Sequence, residues 1–151
     1  MLDMKLKGKN ALVTGSTSGI GEGYAKAYAA EGCNVMIHGF GDKTQIDALC
    51  QQIRDTYKVK VAFSGADVSK PDAVKEMIET CEKELGSVDI LVNNAGIQFT
   101  ALTEEFPIEK WDAIIATNLS SAFLASRLVL PGMKKRGWGR IINTASVHGL
   151  V

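Results

Sequence analysis

The sequence predicts an α/β fold, a doubly wound parallel sheet formed by a single domain over residues 1–151. Three observations predict it. Short apolar runs alternate with helix-period segments along the chain. The glycine-rich string TGSTSGIG, residues 14–21, directly follows the first apolar run. The turn-forming string NNAG, residues 93–96, directly follows the run at 88–92. Repeated β-α units of this kind imply parallel strands joined by right-handed crossovers.

The elements follow in order. Residues 10–14 read as the first strand. Residues 20–30 are Ala-rich and helical, with Gly32 as the stop. A second strand covers 34–38, then a loop at 39–41, then a helix at 43–57 with Ile46, Leu49 and Ile53 on one face. A third strand is expected at 59–63. Pro71 opens a helix to about Leu85, since proline is tolerated in a first turn, and Gly86-Ser87 breaks it. The run 88–92 suits a strand buried on both faces. Pro107 opens a long helix carrying Trp111, Ile115, Leu119 and Phe123, which Pro131 is expected to kink or interrupt. Gly137-Trp138-Gly139 makes a turn, and 140–145 reads as a fifth strand.

Composition narrows the function classes. A formal net charge of zero argues against electrostatic binding to nucleic acid or an anionic membrane, which needs a basic face. The short Lys134–Arg136 run reads as the dipole-complementing end of a helix. Cys33, Cys50 and Cys81 lie far apart with no C-x-x-C spacing, so reduced, partly buried thiols are expected and no metal site. The N-terminal segment has no apolar core of a signal peptide, and no apolar run reads as long enough to span a bilayer. A cytoplasmic protein is expected.

Each glycine of the first string has a physical use. In the G-x-x-x-G-x-G spacing of Gly15, Gly19 and Gly21, one glycine permits a tight strand-to-helix turn. Another lets a pyrophosphate approach the backbone, and the third lets the helix pack close to the sheet. The N–H groups and positive dipole end of the next helix then face the phosphates. Asn93 and Asn94 can stabilise a turn by bonding the backbone. Asp67 can cap a turn. Asn118 is unusual inside an apolar helix, where its propensity is poor and a local irregularity is one reading. Ser146 reads as a loop serine, and His148 as a surface or packed histidine.

With these motifs in this order, the chain resembles the short-chain dehydrogenase/reductase family over essentially its whole length. TGSTSGIG, NNAG, Asn118 in the long helix and Ser146 after the fifth strand match the family's cofactor turn, strand-end motif, helix asparagine and catalytic serine. The resemblance implies a Rossmann fold and hydride transfer between a secondary alcohol and a nicotinamide. It implies cofactor contacts from Gly15, Thr17, Ser18, Gly19, Ile20 and Gly21, from Phe40, Asp67 and Val68, and from Asn94, Ala95 and Gly96. Asp67 would take the adenine amino group and Val68 a backbone contact. Asn118 would hold a water of a proton relay, and Ser146 would bond the reacting oxygen. The strings NNAGIQ (93–98), EKWDAI (109–114) and ASVHGLV (145–151) resemble members that act on 3-hydroxybutyrate, whose substrate-contacting glutamine and histidine match Gln98 and His148. Related 3-oxoacyl or alcohol reductases, or a non-catalytic nucleotide-binding protein, remain as alternatives.

The cofactor expected is NAD rather than NADP. Gly39-Phe40-Gly41 and Ser16 to Ser18 supply no cation for a 2′-phosphate, although Lys43 is near. The acidic residue usual for NAD at the strand end is missing, and Asp42 comes slightly late. The family's Tyr-x-x-x-Lys pair and later strands belong beyond Val151, so the fold is expected to be C-terminally incomplete. A polypeptide ending there is expected to be inactive. It is also expected to form homo-oligomers through an open fifth strand and the apolar stripe of the long helix.

Overall fold

A computed structural model describes residues 5–147 of the chain. Five strands form one fully parallel sheet in the order β3-β2-β1-β4-β5. They are β1 (Asn10–Val13), β2 (Asn34–His38), β3 (Val61–Ser64), β4 (Ile90–Asn93) and β5 (Arg140–Asn143). The helices are α1 (Gly19–Ala30), α2 (Lys43–Tyr57), α3 (Pro71–Leu85), α4 (Ile108–Ile115) and α5 (Ser121–Arg136). A 3₁₀ turn at Thr103–Glu105 precedes α4, and a π-helical turn, Ala116–Ser120, joins α4 to α5.

Successive strand residues point to opposite faces, so each strand feeds two cores. Ala11 and Val13 join Val35, Ile37 and Val92 under α1 and α2, with Ala25, Ala29, Leu49 and Ile53. Leu12, Met36 and Leu91 face the other way, against Val74, Met77 and Cys81 of α3 and Ala125, Val129 and Met133 of α5. Only small residues, Gly21, Ala25 and Ala29, form the buried face of α1, which therefore lies close to the sheet. Leu12, Met36, Ile37 and Leu91 are wholly buried. Each such side chain stabilises the fold by roughly 1.5–3 kcal/mol.

The chain runs outward from β1 through β2 to β3, then crosses back to β4 on the other side of β1. That reversal opens a crevice beyond the carboxyl ends of β1 and β4, where doubly wound sheets bind ligands.

Several boundaries differ from expectation. β3 starts at Val61, because Lys60 is used earlier, its N–H donating to the Asn34 side chain at 3.0 Å. β4 starts at Ile90, since the Val88 carbonyl accepts from Arg136 and Asp89 turns its carboxylate to the Asn10 N–H. β5 ends at Asn143. Pro131 does not interrupt the helix. α5 runs through it to Arg136, held by Val129 and Met133 packed on either side, and the irregularity falls at 116–120 instead. Lys134, Lys135 and Arg136 fill the last turn of α5, as its dipole favours.

One expectation about membranes is corrected. The helix Ile108–Arg136 is long and apolar enough to cross a bilayer by length and composition, because Arg127 is the one charge between Asp112 and Lys134. Its buried stripe packs against α3 and β4, while Ile108, Trp111, Leu119 and Phe123 are exposed. All three cysteines are free thiols and buried. Among the described residues no group of His, Cys, Asp or Glu could hold a metal ion.

Candidate functional site

The two turns at the crevice are laced together. The Thr14 hydroxyl accepts from the N–H groups of Asn94 and Ala95, both at 2.9 Å. The Asn94 amide donates to the carbonyls of Thr14 and Gly15, both at 3.1 Å. These bonds bring the backbones so close that side chains cannot fit. A Cβ on Gly15 would lie 2.9 Å from the Ala95 Cα, and one on Gly21 would run into the Gly15 carbonyl and come within 2.7 Å of the Asn94 amide nitrogen. Gly19 differs. Its φ of 59° favours glycine, and the space where its side chain would stand is open. Ser18, the N-cap of α1, gives no side-chain bond to the helix. The first turn of α1 therefore presents its N–H groups and positive dipole end without a cap of its own.

A cleft of about 400 Å³ runs from this turn toward β2 and β3. Gly15, Thr17, Ser18, Phe40, Asp67, Val68, Asn94, Ala95 and Gly96 all line it. Gly19, Ile20 and Gly21 lie beside it on the first turn of α1, with Ile20 exposed. Phe40 is 68% exposed, and its carbonyl accepts from the Thr17 hydroxyl at 3.1 Å, which ties the loop after β2 to the glycine turn. Asp67 accepts at one oxygen from both the hydroxyl and the N–H of Ser69. Those bonds hold its carboxyl below the usual range, so it remains an anionic acceptor. The cations and acids near the loop are engaged. Lys43 pairs with Asp47, and Asp42 caps α2 by accepting from the Gln45 N–H at 3.0 Å.

His38 also lines the cleft, and sequence reasoning did not single it out for the site. Its signal was the burial expected of the last residue of an apolar strand beside a glycine loop. Ser16 was passed over as well. It is wholly buried, and its hydroxyl donates to the Val13 carbonyl at 2.6 Å and accepts from the His38 N–H at 2.9 Å. Gly39, Ile97 and Thr117 complete the additional lining.

Asn118 sits in the π-helical turn. Its side-chain oxygen accepts from the Ile97 N–H and its amide donates to the Ile97 carbonyl, both at 2.9 Å. It thus clamps the loop after β4 like a strand neighbour. A small polar cavity of about 120 Å³ lies there, lined among others by Asn94, Gly96, Asn118, Asn143 and Thr144. Ser146 follows on the exposed segment after β5 and does not line that cavity. Gln98 is exposed on the loop after NNAG. His148 lies outside the described residues. Tyr24 and Tyr28 on α1 and Tyr57 at the end of α2 pack against the core away from the crevice.

The family model for short chain dehydrogenase matches residues 9–151. The chain belongs to the short-chain dehydrogenase family. It is 56% identical over 146 residues to a D-beta-hydroxybutyrate dehydrogenase of Cupriavidus necator, covering 97% of this chain and 56% of that protein. It is 47% identical over 143 residues to a D-beta-hydroxybutyrate dehydrogenase of Rhizobium meliloti, covering 95% of this chain and 55% of that one. The crystal structure of L-sorbose reductase from Gluconobacter frateurii, complexed with NADPH and L-sorbose, superposes with a TM-score of 0.92 at 32% identity, covering 99% of this chain and 56% of that one. The chain spans a little over half the length of the relatives it matches.

Proposed function

We propose that this chain forms the dinucleotide-binding side of an NAD-dependent dehydrogenase that oxidises 3-hydroxybutyrate to acetoacetate. The observation that carries the reading is a cleft at the sheet reversal, where the glycine turn, Phe40, Asp67 and the NNAG turn meet. The residues present fit a nicotinamide dinucleotide. The open space at Gly19 and the uncapped start of α1 suit a pyrophosphate, and the Asp67 carboxylate suits the adenine amino group.

NAD is favoured over NADP because the 39–41 loop has no cation of its own and Lys43, on the first turn of α2, does not line the cleft. When bound, the nicotinamide supplies the hydride acceptor for the carbinol carbon. The chain's own residues bind and orient. Ser146 donates to the substrate oxygen as it becomes a ketone, Gln98 and His148 hold the carboxylate, and Asn118 fixes the loop that carries Ile97 and Gln98. The hydroxyl proton needs a base, which in the family is a tyrosine, and no described tyrosine stands at the crevice. The three free buried thiols support a cytoplasmic setting, and the exposed apolar side chains Ile108, Trp111, Leu119 and Phe123 of the long helix support self-association.

Titration calorimetry tests the cofactor reading. NAD(H) is expected to bind more tightly than NADP(H), and Gly19→Arg is expected to abolish both by filling the phosphate approach. Tighter NADP(H) binding, or retained affinity in the variant, would overturn it. For the substrate, in a form that also carries the family's Tyr-x-x-x-Lys helix, Gln98→Ala and His148→Ala are expected to raise the KM for 3-hydroxybutyrate, and Ser146→Ala to lower kcat. Unchanged kinetics in all three would remove the carboxylate reading.

A further inference from the structure

His38 is 2% exposed at the last position of β2, yet it is one of the walls of the cleft. Both ring nitrogens are used. Nδ1 receives the Gly15 N–H at 3.0 Å, so Nδ1 carries no proton. The proton of the neutral ring is therefore on Nε2, which donates to the Ala66 carbonyl at 2.8 Å. The bonds reach two separate segments of the site. Gly15 opens the glycine turn, and Ala66 immediately precedes Asp67 and Val68.

We propose that His38 is a positioning residue, whose neutral imidazole sets the distance between the glycine turn and the Asp67 segment, so that dinucleotide affinity falls when the ring takes up a proton. This rests on the reading of the cleft as a dinucleotide site. Protonation would place an N–H on Nδ1 against the Gly15 N–H, two donors with no acceptor between them. The turn must then move, because the Gly15 and Ala95 backbones are already in close contact. Nor does the main chain allow the ring to swing out with its residue. The His38 N–H is held by Ser16 Oγ, and its carbonyl accepts from the Ser16 N–H at 2.7 Å. With both nitrogens committed to the backbone, the ring has no lone pair left for a metal or for proton abstraction.

The charges around the ring leave this bond pattern in control. The glycine turn, residues 14–21, has no titratable side chain. On the β3 side the acid is Asp67, engaged with Ser69. Beyond Gly41, Asp42 caps α2, and Lys43 and Asp47 pair with each other. Burial pushes the imidazole below its ordinary value, opposed by the bond to Ala66, with no charged neighbour among the causes.

Asparagine separates positioning from simple packing. Its Oδ1 stands one bond from Cγ, as Nδ1 does, so it can accept the Gly15 N–H at any pH but cannot reach Ala66. NADH binding, followed by fluorescence on the folded protein, is measured from about pH 8 to about pH 5. Wild-type affinity at the upper end tests the dinucleotide site itself. The proposal expects wild-type affinity to fall by about threefold or more on acidification while the circular dichroism stays native. His38→Asn is expected to bind within about tenfold of wild type at the upper end and to lose the acid dependence. His38→Leu is expected to bind weakly at every pH. If wild type binds NADH equally across the range, or if folded His38→Asn keeps the same acid loss, His38 does not act as proposed. Absence of wild-type binding at the upper end would instead remove the site reading on which it stands.

Discussion

The two ends of the sheet are both closed by hydrogen-bond networks, but of different kinds. At the amino ends of the strands the network centres on a buried ion. Asp89 accepts from the Asn10 N–H and the Ser87 hydroxyl, both at 3.0 Å, and from Arg136 at 3.1 Å. Asn10 continues it to Ser87 and Asn34, and Asn34 to Lys60, so β1 to β4 and the end of α5 are joined. At the carboxyl ends the joints are Thr14, His38, Asn94 and Asn118, without an ion pair, and each bonds backbone. The amino end uses side chains to fill and tie. The carboxyl end uses side chains to draw glycine-rich backbone together along one wall of a cleft. A sheet can therefore put its stability at one end and its binding at the other.

This contrast is broken or sharpened most strongly at Asp89. Asp89→Ala strands the partly exposed Arg136 and the buried Asn10 N–H, and is expected to cost about 3 kcal/mol. Urea unfolding checks this. Dinucleotide affinity of the folded protein should stay within about threefold, and a collapse of affinity would show that the two ends are one unit. Gly21→Ala should do the reverse. Its Cβ would meet the Gly15 carbonyl and the Asn94 amide, pushing α1 off the turn at a cost of about 1–3 kcal/mol in stability. Calorimetry should show affinity lost out of proportion to that cost.

Smaller effects sharpen the picture. His38 is neutral when folded and titrates below its unfolded value, so in acid the unfolded chain binds the extra proton. Its contribution to stability is complete above the ordinary histidine value of about 6.5 and is lost as pH falls through the folded value. Urea midpoints should drop over that window, and His38→Asn should remove that part of the slope. The smallest expected effect is chemical. Burial, with help from Asp89, pushes the Cys33 thiol up to about 12, and burial does the same at Cys81. Cys33 donates to the Lys9 carbonyl at the amino end. Thiol labelling at mildly alkaline pH should therefore follow opening of the fold, and faster labelling in Asp89→Ala would report that end coming loose.

Local chemistry determined much of this protein from sequence. β2, α2 and α3 have the bounds read from their punctuation, since Gly39, Pro71 and Gly86 act through their own backbone geometry. The glycine spacing and NNAG likewise marked the turns that meet at the cleft. What only the tertiary structure decided were features that depend on a distant partner. Strand order came from the crossing back to β4. Helix continuity through Pro131 came from packing on α3 and the sheet. The helix irregularity at Asn118 was legible from its poor propensity, but not its partner in a loop some twenty residues away, and His38 joins Gly15 to Ala66 across two strands. A side chain whose partners lie that far along the chain leaves no periodic or spacing signal, because its energy is fixed only when the sheet brings those backbone groups within hydrogen-bond reach.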